Sequence, residues 1–479
     1  MESQRATKIV ATIGPGADDP RELEKLLRAG VDVARLNAAH SRPGQIKRRA
    51  ASIRAIERIL RRPIGILLDL GGPKIRVAPI HGGAVVWATG DEVQIVPGRA
   101  MGSDHRIGVT YPALLNDVQP GAEIRLDDGR IRLRVEGRSA GALKATVLTG
   151  GKVKTGAGVN FPSSALSAPA LTPKDRRDLR EGLQAGVDFV GLSFVRSVAH
   201  VEALRKLLRR VPEDRRPWIV SKIERAEALA SLEAIARVSD VLMVARGDLG
   251  VEIGLTAVPR AQRKVLSVGQ RLAVPVIVAT QMLESIMECA TPTRAEVSDV
   301  ALAVHDGADA VMLSGETAVG RFPVEAVKAM AEIAVMAEAP DPWAASHEAL
   351  EARPLDFAAQ VATIACQAAR LSQAKAMVVF TEYGRTARLA SKNPLSIPIY
   401  VFTPREEVRR RLTVLRDVVS FRVPKARSVE EMIRAAERIL KTHAGLAGET
   451  VVELSGMAPT EGATNTVRIR RLSGRHREL

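Results

Sequence analysis

About eight continuous apolar runs, built mainly from Val, Ile, Leu and Ala, alternate with helical patterns along most of the chain. Continuous rather than alternating apolar runs are typical of parallel strands that are buried on both faces. Eight strand–helix units are the content of a (β/α)8 barrel, also called a TIM barrel. The runs span Lys8–Ile13, Val33–Asn37, Pro63–Leu70, Phe189–Phe194, Trp218–Glu224, Val241–Arg246, Val274–Gln281 and Ala310–Ser314.

One segment interrupts this alternation. Between residues 77 and 162 short β-like pieces follow one another without a helical period, and turn signals such as Pro120-Gly121 and Asp128-Gly129 separate them. This pattern predicts a small all-β domain, a β-barrel lid, inserted after the third barrel strand. Because that position is a βα loop, the lid is expected on the catalytic face of the barrel.

A second α/β unit is predicted after the Pro- and Ala-rich stretch Pro340–Pro354, where a helix over Asp356–Leu371 precedes five further strands. The fold class is therefore α/β: a TIM barrel with an inserted lid and a C-terminal α/β domain. The expected boundaries are 1–76 and 163–342 for the barrel, 77–162 for the lid and 355–479 for the C-terminal domain.

Composition narrows the class of protein. Two cysteines exclude a disulfide framework, no apolar run is long enough to span a bilayer, and the first ten residues show no export signal. A cytoplasmic location without membrane contact is expected. The net charge of +16 comes mostly from Arg spread along helix-like segments, and no nucleic-acid-binding motif accompanies it, so a nucleic-acid partner is not expected.

Polar residues follow nearly every predicted barrel strand, at the ends that converge on the active site of such a fold. Each one alone is compatible with an ordinary surface residue, but the whole set is difficult to explain by chance. The residues are Arg35 and Asn37, Asp69 and Arg76, Lys222 and Glu224, Gly247 and Asp248, Thr280, and Ser314 and Glu316.

This set has a chemical logic. Glu224 and Asp248, from adjacent strands, are suited to hold one hard divalent ion with open positions for substrate oxygens, although surface acids paired with arginines would look the same. Arg35, Arg76 and Lys222 supply positive charge for a phosphoryl group. Glycines beside Asp248 allow backbone N–H groups to approach a substrate carboxylate.

Several longer blocks resemble the pyruvate kinase family, and they occur in the family's order over nearly the whole chain. They are Thr7–Pro15 (TKIVATIGP), Arg35-Leu36-Asn37, Ser221–Glu224 (SKIE), Val244–Glu252 (VARGDLGVE), Ala279–Ser285 (ATQMLES), Pro292–Val300 (PTRAEVSDV), Met312–Thr317 (MLSGET), Thr381–Ala387 (TEYGRTA) and Gly462–Asn465 (GATN).

The resemblance implies transfer of a phosphoryl group from phosphoenolpyruvate to ADP, giving pyruvate and ATP, as a step of glycolysis. It implies Mg²⁺ or Mn²⁺ on Glu224 and Asp248, and an assembly of four identical subunits under allosteric control. The implied roles of the other residues are substrate or phosphate contacts for Arg35, Asn37, Lys222 and Gly247, enolate protonation for Thr280, Ser314 and Glu316, and nucleotide contacts for His40 and Arg76.

Departures from the family lie at its monovalent-cation site. Ala39 and Leu70 each remove a hydroxyl ligand that many members carry, and Lys74 replaces an acid. We expect the ammonium of Lys74, beside Asn37 and Asp69, to supply the charge that K⁺ supplies elsewhere. The chain is therefore expected not to require K⁺.

Two further departures concern ligands. Ala157 stands where the lid motif of the family has a lysine, and Arg225 stands where many members have Asn.

In the C-terminal domain the resemblance implies a phosphate-binding effector loop. Acidic Glu382 lies beside it, which favours a sugar monophosphate or AMP over a bisphosphate as the activator. The loop residues are Thr381, Gly384, Arg385 and Thr386.

Two alternative functions remain open from the residues alone. A different divalent-metal barrel enzyme acting on pyruvate-like acids, such as an aldolase, would share Glu224 and Asp248. A catalytically weakened paralogue, a basic nucleic-acid binder that kept the scaffold, would fit the losses at Ala39, Leu70 and Ala157. The intact Lys222 and Thr280 count against the second alternative.

Overall fold

The structure is a computed structural model that describes residues 5–162, 164–339, 357–393, 395–425, 429–456 and 464–474. The predicted linker Pro340–Pro354 and the residues Gly462 and Ala463 lie outside the described residues. In the described part of the chain, no helix combines the length and apolar character needed to cross a membrane.

The predicted barrel is confirmed. Within the described residues eight parallel strands pair in chain order, and the last pairs with the first to close the cylinder. The continuous apolar runs are buried on both faces because helices surround the barrel. In chain order the barrel strands are Lys8–Thr12, Val33–Asn37, Gly65–Asp69, Phe189–Leu192, Trp218–Ile223, Val241–Ala245, Val276–Ala279 and Ala310–Leu313.

Local sequence signals define the ends of the barrel helices. Thr172 and Asp175 form a capping box ahead of one helix, and Thr293 and Glu296 form another, so that backbone N–H groups at both helix starts are satisfied. The helices of the barrel domain span Pro20–Arg28, Gln45–Leu60, Pro173–Ala185, Val198–Leu208, Ala226–Ala230, Leu232–Arg237, Arg246–Ile253, Val258–Leu272, Arg294–His305, Gly315–Ala318 and Pro323–Glu338.

The inserted lid follows the third barrel strand and is rich in sheet. Six of its described strands form one sheet and two form a ribbon around a common apolar core, with one short helix, Leu114–Asp117. The sheet order is Val159–Asn160, Glu123–Leu126, Ile131–Ser139, Ala142–Thr149, Glu92–Pro97 and Arg106–Val109, and the ribbon pairs Gly151–Lys154 with Ala84–Trp87.

The C-terminal domain is a five-stranded sheet in its described part, with one antiparallel edge strand. The sheet order is Val418–Arg422, Ile399–Thr403, Ala376–Phe380, Thr450–Gly456 and Thr464–Arg471, and the helices are Phe357–Leu371, Arg385–Ser391, Glu406–Arg411 and Val429–His443.

The C-terminal domain covers the end of the barrel opposite the lid. Apolar residues from the lower barrel, such as Leu67 and Met243, share one core with Val401 and Leu412 of the C-terminal domain. Two buried polar contacts cross the same boundary. The Lys8 ammonium donates to the carbonyl of Val418 at 2.9 Å, and the Lys392 ammonium forms an ion pair with Asp309.

We predict that Lys392→Met destabilises the protein by about 3–5 kcal/mol, because it leaves the buried carboxylate of Asp309 without its counter-charge. Denaturant unfolding monitored by circular dichroism measures this loss. The double variant Asp309→Asn/Lys392→Met should be less destabilised than the single variant, whereas Lys25→Met, at an exposed ion pair, should change little. Equal stability of the Lys392→Met variant and the wild type would contradict the prediction.

Candidate active site

The barrel strands are parallel, so their carboxyl ends open at one mouth, and the predicted polar residues gather there. Lys222 lies at its centre. Its ammonium lies 2.7 Å from Glu224 Oε1 and 3.6 Å from Asp69 Oδ1, and it donates to Ser193 Oγ at 2.9 Å. The hydroxyl of Ser193 donates in turn to the carbonyl of Leu70 at 2.7 Å. Lys222 is thus held by residues from the third, fourth and fifth strands.

Burial alone would lower the pKa of Lys222, but the carboxylates of Asp69 and Glu224 more than offset this, and its pKa is raised. The ammonium therefore keeps its proton at any physiological pH. Burial raises the pKa of Glu224, and Lys222 only partly offsets that effect, while the negative charge of Asp248 adds to it. The two acids thus share one electrostatic environment with the lysine.

The two carboxylate oxygens of Glu224 have different partners, a backbone N–H for one and the Lys222 ammonium for the other. The backbone N–H of Phe194, a residue with the unusual φ of 54°, donates to Oε2 at 2.7 Å. Oε1 is buried and, apart from its ion pair with Lys222, has no partner in hydrogen-bond geometry. Lys222 thus neutralises this oxygen, and a divalent ion bound here would share it with the ammonium.

Asp248 completes the pair of acids from the first turn of helix Arg246–Ile253. It is partly exposed, and its side chain has no salt bridge to another described residue. The described residues contain no group of three or more His, Cys, Asp or Glu side chains that could hold a metal ion. The predicted divalent-ion site therefore contains only two acids from the described residues, Glu224 and Asp248, and its assignment stays a prediction.

Arg35 points into the same mouth but is paired in the ligand-free protein. Its guanidinium donates to Asp69 Oδ2 at 2.8 Å and to Thr12 Oγ1 at 2.8 Å. Burial would raise the pKa of Asp69, but Lys222 and Arg35 outweigh it, and the pKa is lowered. Asp69 thus carries a negative charge between two cations.

The residues at the predicted, altered monovalent-cation site lie at or after the ends of the second and third barrel strands. Asn37 Oδ1 caps the following turn by accepting from the N–H of Ala39 at 3.1 Å. A Cβ on Gly71 would lie 3.2 Å from that of Ala39, so these two small residues fill the space between the loops. Lys74 is exposed, and its charge contributes to lowering the pKa of Asp69.

Thr280 stands in a strained turn after the seventh strand. Its φ is 71° and that of Gln281 is 53°, both in the left-handed region that disfavours β-branched residues. The guanidinium of Arg246 holds this turn by donating to the carbonyls of Thr280 at 2.8 Å and Gln281 at 2.9 Å. Asp299 orients that guanidinium through an ion pair of 2.7 Å.

The hydroxyl of Thr280 accepts the N–H of Gly247 at 2.8 Å. That amide, predicted to face a substrate carboxylate, is therefore engaged by the Thr280 hydroxyl. After the eighth strand, Glu316 is buried and accepts the N–H of Ser314 at 2.7 Å. Ser314 Oγ is buried without a hydrogen-bond partner, so it can bind a water or a substrate group.

A cleft of about 320 Å³ lies between the mouth and the lid. Lys74, Arg76 and Asp248 line it from the barrel side. The guanidinium of Arg76 donates to the carbonyl of Gly156 in the lid at 2.9 Å. Burial lowers the pKa of His40 beside it, and the charges of Lys74 and Arg76 lower it further, so His40 is neutral at pH 7.

The predicted effector loop is a separate cluster in the C-terminal domain. Thr381 Oγ1 accepts the N–H of Gly384 at 2.9 Å, and Gly384 has a φ of 93° at the start of the helix that carries Arg385. Thr386 is buried against Thr464, with 2.7 Å between their hydroxyls. Glu382 forms an ion pair of 2.6 Å with Arg405, so its charge is partly neutralised.

Residues that sequence reasoning missed are mainly arginines. Arg246 was assigned only to a strand end, and Arg225 had no role. Arg225 is buried, ion-paired with Glu252 at 2.7 Å, and close to the end of the lid. The replacement of the usual Asn by Arg between Glu224 and Glu227 was the signal available in the sequence.

Known proteins resemble this chain over nearly its whole length. A family model described as the pyruvate kinase barrel domain matches residues 4–327, and one described as the pyruvate kinase alpha/beta domain matches residues 359–470. The chain is 40% identical to a pyruvate kinase of Methylorubrum extorquens over 482 residues, covering 100% of both chains.

It is 39% identical to a pyruvate kinase of Mycobacterium tuberculosis over 475 residues, covering 98% of both. Among solved structures, a pyruvate kinase from Cryptosporidium parvum superposes with a TM-score of 0.91 at 32% identity, covering 98% of this chain and 96% of the other.

We predict that Arg246→Met destabilises the strained turn, because the carbonyls of Thr280 and Gln281 lose a charged donor. Such a loss costs about 1–3 kcal/mol. Hydrogen–deuterium exchange should increase locally at residues 280–283, as measured by mass spectrometry of peptides. Arg263→Met, which removes an exposed arginine paired with Asp306, serves as the control and should leave this exchange unchanged. Unchanged exchange in Arg246→Met would show that the turn holds without the guanidinium.

Proposed function

The chain belongs to the pyruvate kinase family and its reaction is phosphoryl transfer between phosphoenolpyruvate and a nucleoside diphosphate; on this premise we propose that the mouth around Lys222 is where the transfer takes place. The observation that supports this assignment is the buried cluster at the mouth, in which the charged ammonium of Lys222 lies 2.7 Å from Glu224 Oε1 and 3.6 Å from Asp69 Oδ1. The aldolase and weakened-paralogue alternatives are not favoured, because the matched relatives are pyruvate kinases over their whole length.

Glu224 and Asp248 would hold Mg²⁺ or Mn²⁺. Bound there, the ion would supply Lewis-acid charge to the phosphoryl and enolate oxygens. Glu224 fits this role through Oε1, which faces the Lys222 ammonium. Asp248 fits it because its side chain is partly exposed and its negative charge acts on Glu224. The family's general need for a divalent metal supports the same assignment.

The protein's own groups position and neutralise the substrate. In a loose phosphoryl-transfer transition state catalysis consists mainly of positioning and charge neutralisation. Lys222 would contact the transferring phosphoryl group and stabilise the enolate oxygen as the P–O bond breaks. Arg35 would bind the phosphate, with Asn37 nearby. To bind the phosphate, the Arg35 guanidinium would give up part of its ion pair with Asp69 and donate to the phosphate oxygens instead.

Protonation of the enolate carbon completes the reaction. Thr280 would lie near that carbon, held by the strained turn that Arg246 supports. Ser314 Oγ, which has no hydrogen-bond partner among the described residues, and the buried Glu316 would order the water that delivers the proton. The N–H of Gly247 becomes available to the substrate carboxylate when Thr280 changes its hydrogen bond.

The nucleotide would occupy the cleft below the lid, with Arg76 and neutral His40 beside its phosphates. Since Ala157 provides no cation, the positive charge of this cleft comes from the barrel side. Lys74 would substitute for K⁺ by placing an ammonium near Asp69 and Asn37, which its effect on the pKa of Asp69 supports.

Regulation and assembly extend this proposal. The loop of Thr381, Gly384, Arg385 and Thr386 would bind the phosphate of a sugar monophosphate or of AMP through backbone N–H groups and hydroxyls. Because Arg405 partly neutralises Glu382, the repulsion between this carboxylate and a single bound phosphate would be weakened. A cytoplasmic homotetramer working in glycolysis is proposed on family membership.

We predict that Lys222→Met lowers phosphoryl transfer on the order of 10³-fold or more, because the enolate oxygen loses its ammonium. A coupled assay for pyruvate formation measures the rate with Mg²⁺ present. Lys264→Met, which removes an exposed lysine that contacts only the carbonyl of Leu229 among described residues, should keep the wild-type rate. A Lys222→Met variant with near-wild-type activity would exclude the proposed site.

We predict that the wild type is fully active without monovalent cations, because Lys74 already supplies the charge. Lys74→Glu restores an acid at this position and should make activity dependent on K⁺. The same coupled assay in tetramethylammonium buffer, with and without KCl, measures the difference. Strong stimulation of the wild type by K⁺ would refute the role of Lys74.

A further inference from the structure

Arg225 connects the barrel to the end of the lid. Its side chain is 4% exposed and lies immediately after Glu224, at the mouth. Its guanidinium donates to the carbonyls of Phe161 at 3.4 Å and Ser164 at 3.3 Å, where the chain returns from the lid to the barrel. Phe161 itself is fully buried in the lid core. One barrel side chain therefore holds the backbone that carries the lid.

Glu252 forms the second half of this contact. Its side chain is 0% exposed, and its Oε1 accepts from Arg225 at 2.7 Å and from the side-chain amide of Asn160 at 3.2 Å. Asn160 belongs to the last strand of the lid. Glu252 follows Asp248 by one helical turn, so both halves of the contact sit next to a predicted metal ligand.

The two chain connections of the lid are tied to each other. The N–H of Val159 donates to the carbonyl of Ile75 at 3.0 Å, and the N–H of Val77 donates to the carbonyl of Ala157 at 2.9 Å. A contact that holds Val159 and its neighbours therefore also holds the segment that enters the lid. Arg225 and Asn160 also line the cleft between lid and mouth.

We propose that Arg225 and Glu252 form a clasp that sets the position of the lid over the cleft, and that they are positioning residues for the nucleoside diphosphate. This inference rests on the proposed function of the cleft. A direct contact between the Arg225 guanidinium and the nucleotide is the competing reading. Its burial and its four protein partners, Glu252, Glu227, Phe161 and Ser164, favour the clasp.

The test combines exchange and kinetics on the full-length protein. Glu252→Leu keeps the volume of the side chain but removes the acceptor, and Arg225→Asn removes the donor. In the ligand-free protein both should increase hydrogen–deuterium exchange of residues 157–164 by about tenfold, because the return segment opens locally. Both should raise KM for ADP by about tenfold and leave KM for phosphoenolpyruvate within about twofold, since only the lid is displaced.

Matched variants separate the clasp from a loss of charge or of folding. Glu252→Gln retains Oε1 as an acceptor and should behave as the wild type. Arg134→Asn, which removes an exposed arginine from a lid strand, should also change neither exchange nor KM. Arg225→Asn removes the charge partner of the buried Glu252 carboxylate and risks unfolding the lid. If the lid unfolds in that variant, Glu252→Leu and Glu252→Gln decide the result.

The inference is overturned if Glu252→Leu leaves exchange and KM for ADP unchanged while Arg225→Asn raises that KM, since the guanidinium would then act on the nucleotide directly. It is also overturned if Glu252→Gln is impaired as strongly as Glu252→Leu. Absence of phosphoryl transfer in the wild type would refute the proposed function instead, and exchange of residues 157–164 would still show whether the clasp holds the lid.

Discussion

The ion cluster of Lys222 with Asp69 and Glu224 is the interaction on which the mouth of the barrel depends. Three buried charges are tolerable only if each one is neutralised by its neighbours and by hydrogen bonds. The cluster meets this condition through Ser193 and the N–H of Phe194, but it leaves one oxygen of Glu224 without a hydrogen-bond partner. The residues proposed to bind a divalent ion thus belong to the same group that neutralises the buried charges of the mouth.

Residues with strained backbone conformations lie near this cluster, and charged side chains contact their backbone groups. Phe194 and Thr280 both have positive φ, and both place a backbone or side-chain group at the mouth. Arg246 holds the second of these turns from outside the reaction centre. Such conformations persist only where the surroundings determine them fully. Charged groups thus hold the turns at the mouth, and arginines such as Arg225 and Arg125 connect the barrel to the lid.

The barrel also connects two regions that lie at its opposite ends. The fifth strand begins at Trp218, which packs near Gly384 of the predicted effector loop and under the guanidinium of Arg411, and its last residues include Lys222. A single strand thus reaches from the C-terminal domain to the centre of the mouth. This arrangement explains why the C-terminal domain contributes to the lower core of the barrel rather than standing apart from it.

The sequence was sufficient to predict the strands, since apolar runs such as Val241–Ala245 have to be buried on both faces, and it predicted roles for Lys222, Glu224 and Asp248 from residue type and motif. It could not show that Arg35 pairs with Asp69, that the N–H of Gly247 is occupied by Thr280, or that Arg225 reaches the lid. Those contacts join residues far apart in the chain. Only the tertiary structure decided them, because the partner of a buried charge is set by which strands and loops become neighbours when the barrel closes.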